Sequence, residues 1–319
     1  MRWFIAALGA LVLASQASAQ GTWPQRAVTL VVPFGAGGSA DLTARILATH
    51  LQSKFGAAFV IDNKGGAGGS LGAGFVAKAP NDGYTLLVGT ISSNAINAAL
   101  YPRLPYDLER DFQPVTRLVL FPNLLFVNPK LPARSVSDLI GYLKANPGKA
   151  NYGSSGIGTS SHLSVVMFAL ATGTEMTHIP FRSTSEVVNS MIGGNIDLGI
   201  DSMTTTIPFA QSGAVRALAV TTPKRSPTTP NLPTIGETLP GYEATAWQGI
   251  FAPAGTPRPI VDRLADAVKA ILERPDVAAQ LAAVGAEPAP QPPDDFAAFA
   301  RAERAKWKAV VQKSGTRIE

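Results

Sequence analysis

The chain has 319 residues, 46% hydrophobic and 15% charged, with a formal net charge of +5. That length accommodates two domains with a substantial core, and the absence of cysteine excludes a disulfide framework, a thiolate metal site and a lipidated N-terminal cysteine. The basic residues form no dense block, which argues against a nucleic-acid partner, while the mild positive balance is compatible with anionic solutes.

Residues 1–19 stand apart. Arg2 supplies a positive start, Phe4–Ala14 an apolar run, and Ala17-Ser18-Ala19 the small residues of a cleavage site before Gln20. This is the pattern of a secretory signal peptide, and the run is short for a bilayer span. The expectation is an exported chain, cleaved after Ala19 and without direct membrane insertion. Loss of Arg2 lowers its formal charge from +5 to +4.

The mature chain opens with alternating strand and helix patterns. Val28–Val32, Ala58–Asp62 and Thr85–Val88 read as strands, with helices near Ala40–Leu51, Leu71–Lys78 and Asn94–Leu100. That βαβαβ order predicts a parallel sheet covered by helices, with functional loops at the carboxyl ends of its strands. After the proline-punctuated segment 129–147 a second alternating set begins. Strands at Lys149–Tyr152, His178–Phe181, Ile196–Ile200 and Val215–Val220 surround helices near Ser161–Ala171 and Glu186–Ile192. Residues 222–240 carry five prolines and read as an ordered, extended loop. The chain ends in amphipathic helices, one carrying Ile260, Leu264, Val268 and Ile271, the last capped by Asp294 or Asp295.

A helical tail without a sheet of its own must pack on an existing domain, and it is assigned to the first. Domain one is then discontinuous and joined to domain two by crossover strands near Leu124–Val127 and Ala246–Phe251. The expected fold class is α/β, a two-lobed clamshell. Lobe 1 comprises residues 20–124 and 248–319, and lobe 2 residues 125–247.

Three glycine- and hydroxyl-rich turns follow strands. In the first, Phe34-Gly35-Ala36-Gly37-Gly38 leads into a helix with Asp41 in its first turn. Backbone N–H groups at such a helix start lack partners, and the helix dipole favours negative charge there. Asp41 would brace the turn and pair with Arg45 at i,i+4, or accept a ligand hydrogen bond. The second turn contains Thr90, Ser92, Ser93 and Asn94. The third contains Ser154, Ser155, Gly158, Thr159, Ser160 and His162. Two such loops in separate lobes fit a ligand with two acceptor-rich ends, such as a dicarboxylate, held between helix N-termini. Arg182 would add a charged contact to a carboxylate, and Asp201 lines the same cleft or caps the turn after it.

Other chemistry is poorly supported. His50 reads as a helix-surface residue and His178 as structural; with His162 they do not form a metal set, and no cofactor is expected. Ser154 or Ser155 with His162 leaves an exported serine hydrolase as a rival, although neither serine sits in a nucleophile-elbow motif. A phosphate-binding loop motif is absent from the sequence.

Taken together, the segments resemble the Bug family, the periplasmic solute-binding proteins of tripartite tricarboxylate transporters. The N-terminal markers are Val31–Gly38 with Asp41 and Arg45, Ile61–Gly69 and Pro80–Leu86. Further on come Tyr152–Gly156 with Gly158 and His162, Ile192–Gly194 with Asp197, Arg216–Val220 and Pro233-Thr234 with Glu237. Trp247-Gln248-Gly249 and Pro253–Pro257 complete the series. The resemblance covers essentially the mature chain. It implies a Venus-flytrap fold of type II-like topology and non-catalytic capture of a small organic carboxylate, in the periplasm, by a monomer. It also implies delivery to membrane permease subunits or, in some members, to a sensor. In the family the ligand is held by loop N–H groups, hydroxyls and waters rather than by an arginine clamp, which lowers the weight on Arg182. Two departures bear on specificity: Ser183 stands where the family has glycine, and residues 89–94 differ from the family's glycine and histidine.

Overall fold

The structure, a computed structural model, describes residues 23–101 and 103–316; the leader expected over residues 1–19 lies outside them. Two mixed sheets organise these residues. The six-stranded sheet has the order β11-β4-β10-β3-β1-β2 and the five-stranded sheet the order β7-β6-β8-β5-β9.

In the larger sheet, β1 (Val28–Val32) runs parallel to both β2 (Phe59–Asn63) and β3 (Thr85–Thr90), as the βαβαβ pattern predicts. Its Val-Thr-Leu-Val-Val run is buried along most of its length, which suits an inner parallel strand covered on both faces. Helix α1 (Ser39–Phe55) joins β1 to β2 and ends at Gly56, whose left-handed conformation lets its N–H return to the Gln52 carbonyl. Helix α2 (Ser70–Val76) leads to β3. A π-turn over Ser92–Ile96 then passes into the short α3 (Asn97–Leu100), where the sequence predicts one helix.

Two further strands of this sheet escape the sequence reading. β4 (Phe112–Phe121) and β11 (Glu287–Gln291) pair antiparallel. β11 carries Pro288 and Pro290 and lies at the sheet edge, where a missing N–H is tolerated.

The second sheet begins with β5 (Asn123–Val127), one residue after β4 ends, so the chain changes sheet at Pro122. Helix α4 (Val136–Ala145) lies within the proline-punctuated segment and was not anticipated. Ser135 caps it by accepting from Asp138 N, and Pro132 and Pro147 fall outside its ends. Next come β6 (Asn151–Ser154), α5 (Ser160–Thr172), β7 (Thr177–Pro180), α6 (Thr184–Ile192) and β8 (Leu198–Ser202). Helix α7 (Met203–Gln211), likewise unanticipated because Pro208 interrupts its pattern, precedes β9 (Arg216–Val220).

The proline-rich stretch after β9 is ordered around a 3-10 turn over Ile235–Glu237. There Thr234 and Glu237 form a reciprocal capping box, and Arg225 grips Glu237 through two hydrogen bonds of 2.9 and 2.7 Å. The chain then returns to the larger sheet as β10 (Ala246–Pro253), antiparallel to β3 and β4. The two segments read as crossover strands thus each belong to one sheet, β5 to the smaller and β10 to the larger. The crossings lie at Pro122 and just before Ala246.

The tail packs on the larger sheet: α8 (Arg258–Leu272) against β4 and α1, and α9 (Pro275–Ala282) beside β11. Helix α10 (Pro293–Ser314) packs on β4 and α3 and also touches α5 of the other unit. Its buried Trp307, Val310 and Val311 join a hydrophobic cluster that contains residues of both sheets, among them Leu87 and Leu125. The N-cap of α10 is Pro292 rather than either aspartate. Asp294 sits in the first turn and instead accepts from both terminal nitrogens of Arg258 at 3.0 and 3.1 Å.

Candidate functional site

Where the sheets meet, a cleft of about 480 Å³ opens, within the ordinary range for small-molecule sites. Each of the three glycine- and hydroxyl-rich turns reaches it. The first contributes Phe34 and Gly38, the second Thr90 and Ser92, and the third Ser160. Asp201 lines it as well. Its floor is made by residues flanking the crossings: Phe121 and Asn123 on one side, Ala246, Trp247 and Gln248 on the other.

The first turn leaves the start of α1 without a side-chain cap, because its N-cap residue is Gly38, in extended conformation with φ −78°. The opening N–H groups of α1 therefore face the cleft uncapped, at the positive end of the helix dipole. Asp41 is buried and stiffens the turn from beneath. Its Oδ2 accepts from Gly37 N and Arg45 Nε, both at 2.9 Å, and its Oδ1 accepts from Asn63 Nδ2 at 3.0 Å. The Arg45 bond is the main cause that lowers the Asp41 carboxyl to about 2, assisted by Gly37 N–H and Asn63 and opposed by burial. Asp41 therefore stays ionised at neutral pH and does not itself line the cleft. Phe34 is seated on the neighbouring loop through Gly69, where φ is +92° and an added Cβ would lie 3.2 Å from both the Phe34 ring and Ser93 Cβ.

The second turn is folded on itself. Ser93 Oγ accepts from Thr90 N at 3.0 Å and donates to Asn94 Oδ1 at 2.6 Å, and Tyr106 donates to Ser93 O at 2.7 Å. Ser93 and Asn94 are fully buried behind Thr90 and Ser92, which face the cleft.

In the third turn most hydroxyls satisfy one another. Ser155 Oγ pairs with Ser161 Oγ at 2.8 Å, Thr159 donates to Gly156 O at 2.7 Å, and His162 Nδ1 accepts from Gly158 N at 3.1 Å. Ser154 is buried and meets His178 Nε2 at 2.7 Å; His178 in turn stacks on His162 with ring centres 4.1 Å apart. Burial, and secondarily His178, lowers His162 to about 4, so it is neutral and acts as a packed acceptor. The serine–histidine contact thus involves Ser154 with His178, inside the lobe, and not His162 as the hydrolase rival requires. His178 indeed packs as a structural residue, whereas His50 is half-buried on α1 rather than at its surface.

Of the remaining expected residues, Ala36 and Gly37 are exposed on the first turn but do not line the cleft, and Ser154, Ser155, Gly158, Thr159 and His162 are not lining residues either. Arg182 is exposed outside the cleft lining. Ser183 caps α6 by accepting from Glu186 N and is not a lining residue either.

Several lining residues were not singled out from sequence. Ser202, Thr204 and Thr205 at the start of α7 add to Ser160 as hydroxyls from the second unit, and Asn123, Trp247 and Gln248 come from the crossings. Trp247-Gln248 was visible as a family marker; nothing in the pattern around Thr204 and Thr205 marks them. Among the described residues, the lining contains no lysine, arginine or histidine, and its sole ionisable residue is Asp201. Among the described residues, no group of three or more His, Asp or Glu is placed to hold a metal ion, and no helix is long and apolar enough to cross a membrane.

Comparison with known proteins places this geometry. The family model described as the tripartite tricarboxylate transporter family receptor matches residues 43–316. Protein BugT of Bordetella pertussis is 35% identical over 318 residues, 99% of this chain and 96% of its own length. A solved structure of an R. palustris protein with adipate is 41% identical, with TM-score 0.77 over 93% of this chain and 100% of that one. MatC from Rhodopseudomonas palustris, solved with bound malate, is 34% identical, with TM-score 0.71 over 91% of this chain and 100% of its own.

Proposed function

The chain belongs to the tripartite tricarboxylate transporter receptor family, and we propose that it captures a small organic carboxylate between its two sheets. It is a solute-binding protein of a periplasmic family rather than an enzyme. The observation that carries the proposal is the uncapped N-terminus of α1 opening into a cleft that no cationic side chain lines among the described residues. A carboxylate there would be held by backbone N–H groups and hydroxyls, which deliver hydrogen bonds without a desolvated counter-charge. That two relatives are solved with adipate and malate supports the ligand class.

In this reading the lobes, expected over residues 20–124 with 248–319 and over residues 125–247, divide two residues earlier in each case, at the crossings between the sheets. The mature monomer begins after Ala19, and the crossings at Pro122 and before Ala246 act as the hinge. Closure is driven by the ligand's higher affinity for the closed form. The loaded receptor then docks on permease subunits in the membrane.

Mass spectrometry of small molecules carried through purification, followed by thermal-shift screening of carboxylates against their diamides, tests the ligand class. Binding to the native state alone raises the melting temperature. The reading expects carboxylates to do so and diamides not to. A neutral solute that stabilises the protein while every carboxylate fails would overturn it.

A further inference from the structure

The cleft contains a feature that a plain dicarboxylate leaves unexplained. Asp201, at the end of β8, is 4% exposed and lines the cleft, yet only one of its carboxylate oxygens is used. Oδ1 accepts from Thr184 Oγ1 and from Ser202 N, both at 2.8 Å. Oδ2 is buried and has no hydrogen-bond partner among the described residues. Ser155 approaches the same carboxylate through its amide and its hydroxyl, and both also contact Ser161 Oγ, at 3.0 and 2.8 Å. Across the floor, Gln248 repeats the pattern. One amide atom approaches Ser39 Oγ at 3.4 Å while the other is buried without a partner.

A buried carboxylate oxygen without a donor is expensive, and folded proteins rarely keep one unless something else supplies the donor. Among the described residues, the cleft lining offers no cation to do so. Burial already pushes the Asp201 carboxyl up, and a second carboxylate brought into the same space pushes it further by like-charge repulsion. Both difficulties disappear if the ligand itself carries a hydrogen-bond donor on its carbon skeleton.

We propose that Asp201 is a specificity-determining residue that selects carboxylates bearing a hydroxyl or ammonium group over plain diacids of the same length. The ligand's carboxylate sits at the N-terminus of α1 and its donor group meets Asp201 Oδ2, with Gln248 free to serve either end through its amide. An ammonium also neutralises Asp201, so the amino acid of a matched series outranks the hydroxy acid. This rests on the carboxylate reading above and narrows it.

The test is isothermal titration at pH 7 of the mature protein with matched skeletons of four to six carbons. These are succinate, malate and aspartate, and the corresponding glutarate and adipate series. For the chain length that binds best, the donor-bearing acids should bind at least about tenfold tighter than the plain diacid, well within the discrimination open to a site built for a donor. Asp201→Asn retains an oxygen for Thr184 and Ser202. It should shrink that ratio to within about threefold by weakening the donor-bearing acids while sparing the diacid. The wild-type comparison stands by itself should the variant fail to fold. A plain diacid that binds wild type as tightly as its hydroxy and amino analogues overturns the inference, as does a ratio unchanged in Asp201→Asn, while leaving carboxylate capture intact. If no carboxylate binds at any length, the carboxylate reading falls and this inference with it.

Discussion

Trp247 Nε1 donates to Glu303 Oε2 at 2.9 Å, tying the floor of the cleft to the C-terminal helix. Trp307 Nε1 donates to the same oxygen at 3.0 Å, and Lys306 pairs with Oε1 of this buried carboxylate. One acidic side chain therefore sets the position of an indole against which a ligand would rest. Glu303→Ala would leave two buried indole N–H groups unsatisfied. It should lower stability by about 2 to 3 kcal/mol and weaken carboxylate binding, with Glu303→Gln milder in both. Chemical denaturation and titration calorimetry on both variants check this.

Asp41 makes the first turn sensitive to acid. Its folded-state value of about 2 lies below the ordinary 3.8, so its contribution is present above pH 4 and is lost as the pH falls through 2. The contribution is on the order of 1 to 2 kcal/mol. Asp41→Asn should remove it at neutral pH and flatten the stability profile between pH 4 and 2, as read by denaturation midpoints.

His162 acts in a separate window. Its value of about 4 is below the ordinary 6.5, so the unfolded chain binds the proton first as pH falls. Stability should be full above pH 6.5 and decline down to pH 4, by an amount on the order of 3 kcal/mol. Tyr152 and His178, stacked beside it, offer no counter-charge. In His162→Gln this part of the profile should be shallower, with the remaining slope belonging to His178, which burial also lowers.

Gly285 and Thr204 bring the two units within contact beside the cleft. A Cβ at Gly285 would stand 1.8 Å from Thr204 Oγ1, and its φ of +77° disfavours any side chain. Gly285→Ala must push α7 and the segment before β11 apart locally. Ligand affinity should fall about tenfold, with the left-handed backbone adding on the order of 1 kcal/mol of destabilisation. Calorimetric affinity alongside the denaturation midpoint separates the two effects.

The fold was legible where periodicity and composition agree. The Val28–Val32 run, the glycine break after it and the α1 pattern all point one way, and β1, α1, β2 and β3 fall where expected. The misses share a physical cause. Proline obscures β11 and α7, although the edge position of one and the short length of the other tolerate it. The cleft was harder to read than its loops. Sequence shows that Ser154–His162 is rich in hydroxyls, but not that they bond to one another and leave Ser160 alone at the surface of the cleft. Nor does it show that the crossings, through Asn123, Trp247 and Gln248, form the floor, since that follows from how β4, β5 and β10 meet.

The central claim is that the N–H groups opening α1 hold a carboxylate, and Gly38 offers the most direct test. Its φ of −78° suits any residue, and an added Cβ would find its nearest neighbour, Gly35 O, at 3.6 Å. Gly38→Asp would place a helix cap and a negative charge where the ligand's carboxylate is expected, without disturbing the fold. Titration calorimetry with the carboxylate that binds wild type most tightly decides the matter. The account predicts an affinity loss of at least about tenfold with an unchanged or higher melting temperature. Wild-type affinity in Gly38→Asp would contradict it.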